Sequence, residues 1–243
     1  MILFSGGADS VVRRWEPSSR MNPYLYSNSE SLAGHQGAVL CALYSDALNA
    51  FITGGDDHSI RVWPVAADEP GADAKEKQPG EQTQTRVLSE HSDRVTGLVC
   101  IGHTLASVSW DLTLRLWNLN EALQPDQGAS SHWVDNAHDD YILSLAYSDE
   151  LQQLATASAD QGAKLWDLTA DTEPSDVLEG YSVPEGRKGK RCCGVLLGHT
   201  ADVSHIKWNP VHNLWVTGSE DYSVRYMRYI RYTRLRGFLG ASP

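Results

Sequence analysis

Residues 138–166 read HDDYILSLAYSDELQQLATASADQGAKLW. The stretch opens on His138, reaches Asp160 22 positions later and closes on Trp166 after six more. The same six-residue step from an Asp to a large residue recurs in Asp9/Trp15, Asp57/Trp63, Asp111/Trp117 and Asp221/Met227. In three of these, His35, His91 and His199 stand upstream at separations of 22, 20 and 22 residues. Independent segments do not keep such spacing, so the chain is an array of one repeated unit.

Alignment on the His shows what the unit is. Four residues on comes Val39, Val95, Ile142 or Val203, and nine on comes Tyr44, Cys100, Tyr147 or Trp208. This pattern predicts a short, half-buried strand, followed by turns such as Ser45-Asp46 and Asn209-Pro210. A second strand is expected around Phe51–Thr53, Leu105–Ser107, Leu154–Thr156 and Trp215–Thr217. A third is expected at Ile60–Trp63, Leu114–Trp117, Ala163–Trp166 and Val224–Met227, and a fourth at Arg86–Leu88 and Gly194–Leu197. One four-stranded antiparallel sheet cannot bury both faces alone, whereas radial stacking of several such sheets does so and leaves only short edges.

These units resemble the WD40-repeat β-propellers. The resemblance rests on Gly34-His35, Gly198-His199, Glu90-His91, Ala137-His138 and the closing Trp166-Asp167, with Trp63-Pro64, Trp117-Asn118 and Trp15-Glu16 as relaxed versions. It implies an all-β propeller of four-stranded antiparallel blades. It also implies structural hydrogen-bonded tetrads His35/Thr53/Asp57/Trp63, His91/Ser107/Asp111/Trp117 and His138/Thr156/Asp160/Trp166, and a fourth set, His199/Thr217/Asp221, that ends in Met227. The physical logic is that a buried carboxylate needs donors and a buried indole N–H needs an acceptor. The first unit has Ser5, Asp9 and Trp15 but no His.

About five units are expected: a partial blade over 1–33, blades over 34–90, 91–137 and 138–197, and a last blade with a basic tail over 198–243. The chain starts inside a second strand, and its last unit leaves room only for an outer strand near Tyr232–Phe238. Since the family most often closes with seven blades, the expectation is an incomplete ring or an open fragment of a larger one; a tight five-bladed ring is the alternative. The spacing of Arg225, Arg228 and Arg231 is near three and argues against a clean strand there. Long inserts fall between third and fourth strands at Pro17–Glu30, Ala66–Thr85, Asn120–His132 and Thr169–Gly194, so they project from one side of the disc.

Composition narrows the function. A net charge of −11 argues against non-specific nucleic-acid binding, whose affinity comes from Lys and Arg. Two basic clusters, Arg187/Lys188/Lys190/Arg191 and Arg225/Arg228/Arg231/Arg234/Arg236, keep a nucleic-acid-associated adaptor as a second alternative. Cys41, Cys100, Cys192 and Cys193 form neither a disulfide framework nor a zinc motif, which favours an intracellular setting, cytoplasmic or nuclear. No apolar run reaches membrane-spanning length. Ser5-Gly6-Gly7 and Gly54-Gly55 read as tight turns ahead of Asp, not as phosphate loops.

The repeated His and Asp invite a metal site or an enzyme using the central channel. That is the first alternative, but one pair in each unit is spread around a ring and does not converge. No catalytic residue, metal or cofactor is therefore expected. Departures from the repeat are better candidates. Trp110 stands before Asp111 where the other units have Ala8, Asp56, Ala159 and Glu220. Arg94 and Tyr141 each follow their His by three residues. Trp110, Arg94 and Tyr141 are residue types that anchor interfaces, while Asp56 and Glu220 add acidity that favours a basic peptide; the alternative for Trp110 is packing onto its neighbouring blade. The expected function is a non-catalytic scaffold for protein or peptide partners, as part of a multiprotein complex.

Overall fold

The computed structural model describes residues 3–19, 22–65, 85–122, 131–171 and 190–228. These residues form five antiparallel sheets with strands in simple meander order. The first holds β1 (Leu3–Ser5), β2 (Val11–Ser19) and β3 (Asn22–Ala33). The second holds β4 (Val39–Ser45), β5 (Ala50–Gly55), β6 (Ile60–Pro64) and β7 (Arg86–Leu88). The third holds β8 (Val95–Ile101), β9 (Thr104–Ser109), β10 (Leu114–Asn118) and, after the short helix α1 (Leu119–Ala122), β11 (Ser131–Val134). The fourth holds β12 (Ile142–Ser148), β13 (Gln153–Ser158), β14 (Ala163–Asp171) and β15 (Lys190–Leu196). The fifth holds β16 (Val203–Asn209), β17 (Leu214–Ser219) and β18 (Val224–Arg228). This is the all-β, blade-built architecture that the repeat implies, with three-stranded first and last sheets among the described residues.

The apolar residues of each sheet are buried between sheets, so each blade completes its neighbour's core. Ile52, Ile60 and Val62 of the second sheet pack with Val95, Leu105 and Trp117 of the third. Leu114 and Leu116 of the third pack with Ile142, Leu154 and Trp166 of the fourth. Ala163 and Leu165 of the fourth pack with Val203, Ile206 and Trp215 of the fifth. Phe4 and Val12 of the first meet Phe51 and Trp63 of the second, with the two Phe rings stacked at 4.2 Å. The corresponding residues of the fifth sheet, Val224 and Tyr226, are 71% and 76% exposed.

Two local conformations recur with the repeat. The first strand of each of the second to fifth sheets carries a bulge at one register position, between Val39/Cys41, Val95/Gly97, Ile142/Ser144 and Val203/His205. The residue after each Asp sits in the left-handed region: Ser10, His58, Leu112, Gln161 and Tyr222, with φ from 63° to 67°. This turn points each Asp side chain back at its own blade.

Two expectations change and one holds against a contrary signal. Pro17–Glu30 is not a projecting loop: β2 and β3 run through it as one long hairpin, with pairing reaching Ser19↔Asn22. The run Tyr24-Leu25-Tyr26 has strand propensity, and an antiparallel partner is adjacent in sequence. The inserts at Asn120–His132 and Thr169–Gly194 are also shorter than their limits, because β11 begins at Ser131 and β15 at Lys190. The third strand expected at Val224–Met227 is present as β18, which pairs with β17 without a shift from Leu214↔Arg228 to Gly218↔Val224 despite the Arg spacing. Cross-strand hydrogen bonding decided that segment and side-chain period did not. Arg187, Lys188, Arg231, Arg234, Arg236, the Tyr232–Phe238 strand and most of the Ala66–Thr85 insert lie outside the described residues.

Candidate functional site

The four repeat His, His35, His91, His138 and His199, have both ring nitrogens committed inside their own blades. His35 Nδ1 lies 2.9 Å from Asp57 Oδ1 and its Nε2 lies 2.8 Å from Thr53 Oγ1, to which Trp63 Nε1 donates at 2.9 Å. His91 contacts Asp111 at 2.8 Å and Ser107 at 2.7 Å, and Trp117 donates to Ser107 at 2.9 Å. His138 contacts Asp160 and Thr156, both at 2.7 Å, and Trp166 donates to Thr156 at 2.9 Å. In the fifth blade His199 contacts Asp221 and Thr217, both at 2.8 Å. Position 227 pairs across the sheet with Trp215, just as Trp63 pairs with Phe51, so the fifth blade carries a Met where the indole would be. In the first blade Trp15 donates to Ser5 at 2.8 Å, and Asp9 pairs with Arg13 instead of a His.

The partners fix the protons. A carboxylate only accepts, so Nδ1–H donates to Asp; Nε2 then accepts the Ser or Thr O–H, and that oxygen accepts the indole N–H. The charge states agree. Burial holds His35, His91 and His138 below the usual imidazole range, against the opposing pull of Asp57, Asp111 and Asp160. Burial raises Asp57 and Asp160, but it is outweighed by hydrogen bonds, and both are held at about 2. For Asp57 these come first from the Gln36 N–H, then from Ser59 and His35; for Asp160, from His138 and the Asp139 and Gly162 N–H groups. A neutral imidazole whose two nitrogens are both occupied has no free lone pair for a metal or a substrate proton.

Sequence reasoning missed one member of this network. Two residues after the Asp, a hydroxyl donates back to it: Ser59 to Asp57 at 2.7 Å, Thr113 to Asp111 at 2.7 Å and Ser223 to Asp221 at 2.6 Å. The signal lay in the repeat alignment, where the fourth blade substitutes Gly162 and uses its N–H at 3.0 Å. The Gly54-Gly55 pair also differs from its reading. It ends strand β5, and a Cβ on Gly55 would fall 2.7 Å from His35 Nδ1, so the glycine makes room for the tetrad.

Four of the five candidate contact residues come together beside the tetrads. The residue before each Asp donates its N–H to the carbonyl three residues after the His: Asp56 to Ala38 at 2.8 Å, Trp110 to Arg94 at 3.2 Å, Ala159 to Tyr141 at 2.9 Å and Glu220 to Asp202 at 3.0 Å. Both positions therefore line one face of the blades. Across blade junctions on that face, Asp56 Oδ1 meets Arg94 Nε at 3.0 Å and Trp110 stacks on Tyr141 at 4.3 Å with planes 14° apart. The Arg94 guanidinium sits 4.0 Å from the Trp110 ring centre. Two groups this close to one ring must occupy opposite faces, so Trp110 is sandwiched and half-buried rather than standing free in an exposed turn. Its indole N–H is enclosed and has no acceptor among the described residues. Glu220 is exposed and takes no part in the ladder.

The family model described as "WD domain, G-beta repeat" matches residues 27–64, 82–118, 131–167 and 190–226, more than half of the chain. The chain is 27% identical over 239 residues to a protein of Anopheles gambiae named ribosome biogenesis protein WDR12 homolog, covering 94% of this chain and 49% of that protein. Proteins of the same name from Drosophila virilis and Ixodes scapularis are 27% and 26% identical, over 77% and 88% of this chain and 40% and 48% of theirs. The chain spans about half the length of the curated relatives it matches. Each matched repeat runs from the last strand of one blade through the first three strands of the next and takes in one joined set of His, Ser/Thr and Asp; the chain belongs to the WD40 repeat family.

Proposed function

We propose that this chain is a non-catalytic scaffold that docks protein or peptide partners on the face carrying Asp56, Arg94, Trp110 and Tyr141. The observation that carries this reading is the ladder itself. An acid, a cation and two aromatic rings from three successive blades are held in register on one face, where the repeat requires no particular side chain. Surfaces of this composition supply binding energy without chemistry. The repeated His and Asp that invite an enzyme reading are bonded to one another within the tetrads.

The relatives' name supports a setting. We place the chain in ribosome biogenesis, as one member of a multiprotein assembly inside the cell, cytoplasmic or nuclear. With a net charge of −11, its contacts in such an assembly are made to proteins rather than directly to nucleic acid.

The test is affinity purification of the tagged chain, with partners quantified for wild type and for Arg94→Glu and Trp110→Ala. Circular dichroism and thermal unfolding confirm that each variant stays folded. Loss of a reproducible set of proteins from both folded variants is expected. An unchanged set would remove this face as the docking site.

A further inference from the structure

The ladder stops at one blade junction, and the gap has a defined chemistry. At the junction of the second and third blades the residue before the Asp reaches the residue three after the next His: Asp56 pairs with Arg94. At the next junction Trp110 stacks on Tyr141 in the same way. At the junction of the fourth and fifth blades the corresponding residues are Ala159 and Asp202. Ala159 has only a methyl group where its counterparts Asp56 and Trp110 use long or charged side chains to contact the next blade, so the repeat builds no rung from this position. Tyr141, already covered by Trp110 on one ring face, is 43% exposed. Ala159 is tied below it through its N–H bond to the Tyr141 carbonyl.

Charge around the notch is one-sided. Asp139, Asp140 and Glu220 are exposed and Asp202 is half-exposed. None of the four has an ion-pair partner among the described residues. The cation of the face, Arg94, is already held between Asp56 and Trp110. What is missing beyond Tyr141 is therefore a flat cation, in the role that Arg94 plays at the other end of the stack.

We propose that the notch over Ala159, walled by Tyr141 and Asp202, accepts an arginine side chain from a basic peptide segment of a partner protein. The guanidinium lies on the open part of the Tyr141 ring and pairs with Asp202, extending the ladder by one rung. Arg suits this better than Lys because its planar head stacks and makes two parallel hydrogen bonds to a carboxylate. Glu220, Asp139 and Asp140 attract flanking basic residues. This rests on the scaffold reading above and names the kind of partner.

The experiment uses the full chain and three synthetic peptides, a Gly/Ser backbone carrying two Arg, two Lys or two Gln, followed by fluorescence anisotropy at low and high salt. The Arg peptide is expected to bind several-fold tighter than the Lys peptide, with the Gln peptide at background. Tyr141→Leu keeps the charge and removes the ring; it should weaken Arg-peptide binding about tenfold. Asp202→Asn should do the same. Ala159→Trp builds the missing rung from within, should abolish binding, and by filling a gap leaves folding intact. Equal binding of Arg and Gln peptides, or unchanged affinity in Tyr141→Leu and Ala159→Trp, would overturn the proposal. In that case the scaffold reading would still stand if Arg94→Glu loses its partners, so the two failures are distinguishable.

Discussion

Replacement of Ser107 by Ala isolates the tetrad from everything else in its blade. Ser107 is fully buried, and its hydroxyl joins two other buried groups, accepting from Trp117 Nε1 at 2.9 Å and donating to His91 Nε2 at 2.7 Å. Ala removes one oxygen and leaves the backbone pairing of Ser107 with Leu98 and Arg115 in place, so cavity formation contributes little. What remains is one indole donor without an acceptor and one imidazole nitrogen without a donor. Each stranded buried group costs about 1–3 kcal/mol, so the two together cost about 2–6 kcal/mol. For a chain of this length that corresponds to a fall in Tm of roughly 4–24 °C. The assay is urea unfolding followed by Trp fluorescence and far-UV circular dichroism, completed as a double-mutant cycle with Trp117→Phe. Because the two changes remove opposite ends of one bond, they should couple by about 1 kcal/mol or more. A loss below about 0.5 kcal/mol, or strict additivity in the cycle, would refute the claim that the hydroxyl links indole to imidazole.

Three further outcomes follow from the same geometry. Since burial holds His35, His91 and His138 below the ordinary value, the unfolded chain takes up more protons than the folded one as pH drops below about 6.5. Stability should be full above that pH and decline on acidification, with a second loss as pH falls through the range from about 4 to about 2, where Asp57 and Asp160 are protonated; equal urea midpoints at pH 7.5 and 5 would contradict this. Leu112 holds a left-handed φ of 66°, a conformation that Asn tolerates far better, so Leu112→Asn should gain about 1 kcal/mol in unfolding free energy, and a destabilised variant would mean that its side-chain packing outweighs the backbone term. Cys41 is half-buried and desolvation pushes its thiol up to about 12, whereas Cys193 is exposed; limited iodoacetamide treatment followed by peptide mass mapping should label Cys193 well before Cys41.

The sequence by itself determined the repeated unit and its internal chemistry. His35, Thr53, Asp57 and Trp63 lie within 29 positions of one another, and a meander of adjacent antiparallel strands brings such neighbours together whatever the rest of the chain does. The tetrads were legible because they are local. The same holds for the strands themselves, down to β7 at Arg86–Leu88. What the sequence misjudged was governed by pairing rather than by side-chain period. Pro17–Glu30 became a hairpin because each half had the other as a partner.

Contacts across blade junctions belong to the tertiary structure. Asp56 lies 38 residues from Arg94, and Trp110 lies 31 from Tyr141. Their meeting depends on how far one sheet turns relative to the next. The sequence marked these residues as departures on a common face, but it could not say that Arg94 and Tyr141 would enclose Trp110 from its two sides. Nor could it show that the rung fails at Ala159, because an alanine is unremarkable in a repeat until its counterparts Asp56 and Trp110 are seen to reach across to the next blade. The repeat fixes what every blade must contain for its own hydrogen bonds. The angle between blades, set by the packing of Ile52, Leu114 and Ala163 against their neighbours, decides which free side chains meet.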